Sequence, residues 1–233
     1  TINQKTNNLK QTKKLTSKKE LYCHQEVRNM KKFILDKCMN IIKNNKNYDN
    51  TKLAEIKYGL EGLYLMITKL IIITIIAIIL KITKEYLLFM LIYTIMRAPS
   101  FGIHAKKSWI CLISSTISFI GIPLIAIHTK LNIITKIIIG IISIIGILLF
   151  SPADTHKRPI INKKRRMIYK TLSTIIAITY ITLSIIIKDN FISNAFFYAT
   201  ILQNIIISPI TYKIFKMPYN NYKTYIKTHG LNE

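Results

Sequence analysis

The chain has 233 residues, 50% of them hydrophobic, and a formal net charge of +24. A soluble domain would have to solvate that charge while packing a very apolar remainder, so the composition disfavours a soluble globular protein. The apolar residues instead form long blocks rich in Ile and Leu, and a block of about 20 such residues is long enough to cross a bilayer as a helix. The composition therefore predicts a polytopic membrane protein.

Residues 1–29 form a basic tail rich in Lys, Thr and Asn, which we predict to be disordered. Met30 opens a more structured stretch, so this tail is expected to lie upstream of the native start or to derive from an expression vector. From Met30 to about Asn44, apolar residues recur at helical spacing with Lys on the opposite side, which predicts an amphipathic helix. That helix either lies on an anionic membrane surface or packs on its own protein.

A second helix is predicted to begin near Thr51 and to run into the first membrane span, so that residues 30–61 form a cytoplasmic or interfacial helical region. Residues 62–212 form the predicted transmembrane domain, and residues 213–233 form a basic cytoplasmic tail. The six predicted spans are 62–80, 83–96, 109–127, 131–150, 167–187 and 191–212. The second span has about 14 residues, roughly 21 Å of helix, which leaves a half-helix or a re-entrant segment as an alternative.

The distribution of charge favours six crossings with both termini in the cytoplasm. This topology places 27 of the 34 Lys and Arg residues on the cytoplasmic side, as the positive-inside rule requires. A compositional bias toward Lys explains their number but not their positions. Lys69, Lys136 and Lys170 lie near span ends, close enough to reach the membrane interface. The predicted fold class is an all-α polytopic membrane protein with an N-terminal amphipathic helical region.

The segment "RAPSFGIHAKKSWIC", residues 97–111, lies between the second and third spans, on the cytoplasmic side. Pro99 and Gly102 are predicted to break the helix that leaves the second span. Ser108 suits the N-cap of the third span, which would place Cys111 in the first turn of that helix. The positive end of the helix dipole and the two preceding lysines would favour the thiolate form of this cysteine.

His104 and Cys111 lie seven residues apart. On one continuous helix their Cα atoms would be about 10.5 Å apart, too far for a base and a nucleophile in hydrogen-bond contact. A Cys–His pair therefore requires the loop around Gly102 to fold back over the start of the third span. The alternative is a packing cysteine and an interfacial histidine without a catalytic role.

Other chemistry has less support in the sequence. The cysteines are scattered and indicate neither a disulfide framework nor a zinc site, and the HExxH and GxSG motifs are absent. We expect no metal and no cofactor. A small transporter or channel component is the main alternative, in which Gly140 and Gly146 would serve helix packing or a pathway, although few polar residues lie in the spans. A membrane-anchored binder of nucleic acid or of an acidic partner rests on charge alone.

The 97–111 segment resembles the signature of the AgrB family (accessory gene regulator protein B), which has an Arg, then a Gly, a His-Ala pair and a Cys seven residues after the His. The residues that carry this resemblance are Arg97, Gly102, His104, Ala105 and Cys111.

Two further stretches, "KYGLEGLYL" at 57–65 and "SPADTHKRPI" at 151–160, are similar to the start of the family and to its loop after the fourth span. The resemblance covers roughly residues 30–212, with matching span count and orientation. One difference is that Phe101 precedes Gly102, where the family often has a pair of glycines.

The resemblance implies a membrane cysteine endopeptidase of the bacterial cytoplasmic membrane, with its active site facing the cytoplasm. Cys111 would be the nucleophile and His104 the general base. They would cleave the C-terminal tail of a short AgrD-like quorum-sensing precursor through a thioester, and an internal Cys or Ser of the precursor would then close a thiolactone or lactone ring. The expected partners are this precursor and a bilayer with anionic lipids. A homodimer is left open, and no nucleic acid is expected.

Several residues are candidates for supporting roles. Arg97 is a candidate for binding a substrate carboxylate or an oxyanion, or for anchoring the span at the interface. Asp154, Glu61 and Glu55 are candidates for orienting His104, unless they only neutralise nearby lysines. A basic cluster would either attract the acidic tail of the precursor or face lipid headgroups. Its members are Lys157, Arg158, Lys163, Lys164, Arg165 and Arg166.

Overall fold

The computed structural model describes residues 31–43, 48–103, 108–155 and 159–229. The chain divides into two compact units, Thr1–Leu70 and Ile71–Glu233. The described residues contain no β-strand, so the prediction of an all-α fold is confirmed for them. The elements are α1 (31–43), α2 (Asn50–Ile79), α3 (Thr83–Ser100), α4 (Ser108–Thr116), a π-helical turn (Ile117–Gly121), α5 (Ile122–His128), α6 (Ile133–Phe150), α7 (Lys163–Ile186), α8 (Asn190–Ile207), α9 (Pro209–Ile214) and α10 (Asn221–His229).

The first unit contains α1 and the first part of α2. Leu35 and Met39, one turn apart on α1, are buried, whereas Phe33 is exposed. Lys31 forms an ion pair with Glu61 of α2 at 3.3 Å. These observations confirm the helix predicted from Met30 and the second helix predicted near Thr51. The predicted tail at 1–29 lies outside the described residues, and binding of α1 to a membrane surface stays a prediction.

To within two residues at their ends, the first five predicted spans are helical, the third with a π-helical turn inside it, whereas the sixth, 191–212, is interrupted at Ser208 between α8 and α9. Within the described residues, four helices are long and apolar enough to cross a membrane: Asn50–Ile79, Trp109–His128, Ile133–Phe150 and Lys163–Ile186. The other two, α3 and α8, are helices of 18 residues each. The structure thus supports a membrane protein with at least these four apolar helices, while six crossings and cytoplasmic termini stay predictions.

Helix α8 lies at the centre of the second unit, where it packs against α3, α5, α6 and α7. A helix enclosed by other helices can carry polar side chains that a lipid-facing helix cannot, because protein groups satisfy their hydrogen bonds. This explains how α8 can carry buried polar side chains. Its buried polar residues are Ser193, Asn194, Thr200 and Gln203.

Pro99 does not end α3, so that prediction is wrong. The helix continues to Ser100 with Pro99 inside it. Proline removes one N–H donor and crowds the preceding turn, but only one helical residue follows it here, so the loss is confined to the last turn. The Ser100 hydroxyl donates to the Met96 carbonyl at 2.8 Å. The chain leaves the helix at Phe101, where φ is +57°, and turns again at Gly102, where φ is +120°, so the helix does not continue through this glycine, as predicted.

Lys136 does not reach toward the interface as predicted. It is buried, and its ammonium group donates to the Ser184 carbonyl at 3.3 Å and to the Ser193 hydroxyl at 2.5 Å. The Ser184 carbonyl belongs to the last turn of α7, where the negative end of the helix dipole stabilises a cation. Lys136 therefore connects α6, α7 and α8.

Helix α6 approaches α7 closely at Gly140. A Cβ atom added at this position would lie 2.7 Å from Cγ2 of Ile181. Small residues allow such close approach between helices in a membrane, so Gly140 is required for the observed packing.

Replacing Gly140 with Leu is therefore expected to destabilise the second unit, since overpacking typically costs about 1–3 kcal/mol. The measurement is the thermal unfolding temperature in detergent, followed by far-ultraviolet circular dichroism. Gly62→Leu is the matched control, because a Cβ atom added there meets nothing within 4 Å. Equal unfolding temperatures for the two variants would contradict the close α6–α7 packing.

Candidate active site

Residues 101–103 follow α3 and lead toward the predicted general base His104. Both Phe101 and Gly102 have positive φ, at +57° and +120°. A Cβ atom at Gly102 would lie 2.7 Å from Cγ2 of Ile206 on α8. Glycine adopts such a conformation without strain, whereas a residue with a Cβ atom does not. The backbone at Gly102 therefore turns sharply and in close contact with α8.

The loop after α6 pairs with this turn. The Gly102 N–H donates to the Ala153 carbonyl, and the Ala153 N–H donates to the Ser100 carbonyl, each at 3.0 Å. The pairing forms an isolated parallel bridge between Phe101 and Ala153. The Tyr212 hydroxyl, from α9, lies 3.3 Å from the same Ala153 carbonyl. Two loops more than 50 residues apart in sequence are thus joined by backbone hydrogen bonds.

Helices α7 and α8 hold Phe101 by its side chain and its carbonyl group. The Phe101 ring meets the Tyr169 ring edge to face, with 5.1 Å between centroids. The Phe101 carbonyl accepts a hydrogen bond of 2.9 Å from Nε2 of Gln203, a residue that the sequence reasoning missed. Its position in the sequence could have identified it, because a polar amide inside the apolar run "ILQNIII" is costly unless it has a partner or a function.

Arg97 binds the carbonyl group of Ile103, which follows Gly102 as Phe101 precedes it. Its guanidinium group donates to the Tyr93 hydroxyl at 2.9 Å and to the Ile103 carbonyl at 3.1 Å. These bonds use two of the five N–H donors of the guanidinium group. The structure thus shows Arg97 fixing the peptide that leads into residue 104, while its predicted contact with a substrate carboxylate or oxyanion stays a prediction.

Cys111 is the fourth residue of α4 and is half-buried, so the prediction that it lies in the first turn of this helix is confirmed. Its carbonyl accepts a hydrogen bond from the Ser114 hydroxyl at 3.2 Å. Ser108 is the first residue of this helix, and its predicted capping hydrogen bond stays a prediction. His104 lies outside the described residues, so the predicted contact between His104 and Cys111 stays a prediction.

Four members of the predicted basic cluster form the first turn of α7, after the N-cap residue Asn162. Lys163, Lys164 and Arg165 are exposed. Arg166 is half-buried, and its guanidinium carbon lies 3.7 Å from the centre of the Tyr222 ring. The remaining members, Lys157 and Arg158, fall outside the described residues.

The three acidic candidates lie in different surroundings. Glu61 pairs with Lys31 at 3.3 Å, and Glu55 is exposed. Asp154 is buried, and its two carboxylate oxygens accept hydrogen bonds from the backbone N–H groups of Asn221 and Tyr222 at 3.0 and 2.7 Å. Asp154 therefore caps the N-terminus of α10, and this contact gives it a structural role.

The described residues contain no group of three or more His, Cys, Asp or Glu side chains that could hold a metal ion. In the same part of the chain, the groups suited to chemistry are the Cys111 thiol and the hydrogen-bonded turn at 101–103. A thiol at a helix start can serve as a nucleophile when a base lies within reach.

Comparisons with known proteins agree on one family. The profile of the family Accessory gene regulator B matches residues 35–207. An AgrB-like protein of Clostridium acetobutylicum is 26% identical over 182 residues, which cover 77% of this chain and 86% of that protein. Accessory gene regulator protein B of Staphylococcus aureus strain Newman is 31% identical over 159 residues, which cover 67% of this chain and 82% of that protein. No solved structure matches the chain.

Gly102→Ala is expected to destabilise the turn at 101–103. A left-handed backbone costs an L-residue roughly 1–2 kcal/mol, and the new Cβ atom would also meet Ile206 at 2.7 Å. The expected result is a lower thermal unfolding temperature in detergent. Gly121→Ala is the matched control, because an added Cβ atom there meets only ordinary contact at 4.0 Å. If both variants unfold at the temperature of the unsubstituted chain, the turn does not require glycine.

A second prediction concerns pH and Asp154. Burial raises the pKa of the Asp154 carboxyl, although hydrogen bonds from Tyr222, Asn221 and Ile160 act in the opposite direction. A carboxyl with a raised pKa in the folded state contributes stability below its unfolded pKa of about 4, and this contribution is lost as pH rises through the folded pKa. The stability of the unsubstituted chain relative to Asp154→Asn is therefore expected to decrease as pH rises above about 4 and through the folded pKa.

The measurement for this prediction is denaturant unfolding of both proteins in detergent across that pH range. A relative stability that increases with pH would show that the folded protein prefers the ionised carboxylate. In that case the backbone donors of α10 would outweigh burial.

Proposed function

The chain belongs to the accessory gene regulator B family, and we propose that it is a membrane cysteine endopeptidase that processes a short AgrD-like pro-peptide. Family membership supports a role in accessory gene regulator quorum sensing and implies involvement with the AgrD pro-peptide. The observation that supports the specific proposal of a cysteine endopeptidase is the hydrogen-bonded turn at 101–103. This turn directly precedes His104, and Cys111 follows in the first turn of the next helix.

Cys111 and His104 act as nucleophile and general base in this proposal. His104 takes the proton from the Cys111 thiol, and the thiolate attacks the carbonyl carbon of a peptide bond near the C-terminal end of the precursor. Backbone N–H groups at the start of α4, together with Arg97, are the candidates for stabilising the oxyanion. The C–N bond then breaks, and the leaving amine takes the proton from His104. The C-terminal tail departs, and the rest of the precursor stays on Cys111 as a thioester.

The thioester preserves the energy of the cleaved peptide bond for ring closure. A Cys thiol or Ser hydroxyl within the bound precursor gives its proton to His104 and attacks the thioester carbonyl. The carbon–sulfur bond to Cys111 breaks, and the released thiolate regains the proton. The product, a thiolactone or a lactone ring, then dissociates, and the enzyme returns to its starting state. A site at the membrane edge favours this outcome because it limits the water that competes for the acyl group.

The basic first turn of α7 provides a second part of the proposal. Lys163, Lys164 and Arg165 are exposed there, and the positive end of the helix dipole adds to their charge. An anion is stabilised at such a site by both contributions. We assign this turn to the acidic tail that the family resemblance implies for the precursor, with lipid phosphate groups as the alternative ligand.

The proposed topology places this chemistry on the cytoplasmic side. With six crossings and both termini inside, the 101–111 segment, the loop after α6 and the start of α7 all face the cytoplasm. In the structure, the first two are joined by backbone hydrogen bonds, and the Phe101–Tyr169 ring contact links them to α7. This proximity supports a single face for precursor binding and cleavage.

The transporter alternative gains no support from the polar residues of α8. Asn194 donates to the carbonyl groups of Ala126 and Thr129, and Gln203 donates to the carbonyl group of Phe101. These side chains connect α8 to the ends of neighbouring elements, which is a structural use of intramembrane polarity.

Cys111→Ala is expected to abolish precursor cleavage, and His104→Ala is expected to slow it by about 10²- to 10⁴-fold, the usual contribution of a general base. The assay co-expresses the chain with the short reading frame next to its gene. Mass spectrometry then detects the shortened precursor and the cyclic peptide. Cys38→Ala is the matched control, since this second half-buried cysteine lies on α1. Cleavage that survives both the Cys111 and the His104 substitutions would contradict the peptidase assignment.

A further inference from the structure

Gln203 is a fully buried amide at the centre of the second unit. Its Nε2 donates to the Phe101 carbonyl across 102 residues of sequence. Its Oε1 accepts no hydrogen bond from the described part of the chain. Burying an amide with an unpaired atom is unfavourable by about 1–3 kcal/mol, so packing alone does not explain a glutamine at this position. An apolar residue of the same length would remove the unpaired Oε1 but would leave the Phe101 carbonyl without this donor.

Gln203 binds the carbonyl group of Phe101, whose backbone is strained. Phe101 has φ +57° and ψ −131°, a combination that costs a residue with a Cβ atom about 1–3 kcal/mol. Such a backbone persists only where its surroundings determine it from several directions. Gln203 supplies one of these constraints at the carbonyl group, and the contact with Tyr169 supplies another at the ring.

Gln203 and Arg97 hold two carbonyl groups on either side of Gly102. The Phe101 carbonyl is bound by Gln203 at 2.9 Å, and the Ile103 carbonyl is bound by Arg97 at 3.1 Å. Gln203 and Arg97 thus hold the backbone of residues 101–103, the last described residues before His104. Catalytic groups need placement to within about 0.5 Å, and a displacement of about 1 Å can reduce a rate by about 100-fold.

We propose that Gln203 is a positioning residue for cleavage, which acts through the Phe101 carbonyl to hold the turn at 101–103 that directly precedes His104 in the sequence. This inference rests on the proposed function, because it assumes that His104 is the general base. Gln203 is itself buried, so it changes the rate of the chemical step rather than the binding of the precursor.

The first test uses Gln203→Met, which keeps the length of the side chain and removes the donor. The expected result is a decrease in kcat of about 100-fold with KM unchanged, measured by cleavage of a synthetic precursor in detergent micelles. Thr200→Val is the matched control. Thr200 is also fully buried on α8, but its hydroxyl donates to the Phe196 carbonyl of its own helix. Cleavage by Gln203→Met at the rate of the Thr200→Val variant would overturn the proposal.

The second test uses Gln203→Glu and remains informative if the Met variant does not fold. A protonated carboxyl donates to the Phe101 carbonyl, whereas an ionised one repels it. Burial favours the protonated form, so the activity of this variant relative to the unsubstituted chain is expected to be highest at low pH and to fall as pH rises. A ratio that does not change with pH would overturn the proposal.

Cys111→Ala distinguishes a failure of the Gln203 positioning role from a failure of the peptidase assignment. If this variant is inactive while both Gln203 variants cleave normally, the positioning role is wrong and the peptidase assignment stands. If the Cys111→Ala variant still cleaves, the peptidase assignment itself is wrong.

Discussion

The turn at residues 101–103 packs against neighbouring helices with Gly102 buried, and buried backbone N–H and carbonyl groups need partners within the protein. Residues 101–103 meet this requirement through three elements. The loop after α6 pairs with Gly102, α8 binds the Phe101 carbonyl through Gln203, and α3 binds the Ile103 carbonyl through Arg97. The buried amide of Gln203 is tolerated on α8 because its donor reaches the Phe101 carbonyl group.

This network connects the fold to the proposed chemistry. A cysteine endopeptidase needs a base held at a defined distance from its thiol. The structure fixes the chain at residues 101–103, immediately before His104, and starts a new helix just before Cys111. The strained backbone at Phe101 belongs to this arrangement, because strain at a functional site is maintained only by surrounding contacts.

The sequence predicted the local features well, because length, apolar content and periodicity act over short distances. Five predicted spans are helical, the sixth is broken only at Ser208, and Cys111 lies in the first turn of its helix. The predictions that were wrong concern contacts between secondary-structure elements. Lys136 is buried against α7 and α8 rather than extended toward the interface, and Pro99 is accommodated within the last turn of α3. The pairing of Gly102 with Ala153 and the role of Gln203 join residues 51 and 102 positions apart, which no local pattern encodes.

The most direct test of this account is intact-mass spectrometry of the protein after incubation with a precursor whose internal Cys or Ser has been replaced by Ala. Without that nucleophile the ring cannot close, so the acyl group is expected to remain on the enzyme. The account predicts an adduct on Cys111 with the mass of the precursor minus its C-terminal tail, and its release by hydroxylamine, which cleaves thioesters. Release of the tail with no adduct, or an adduct on Cys38, would contradict the account.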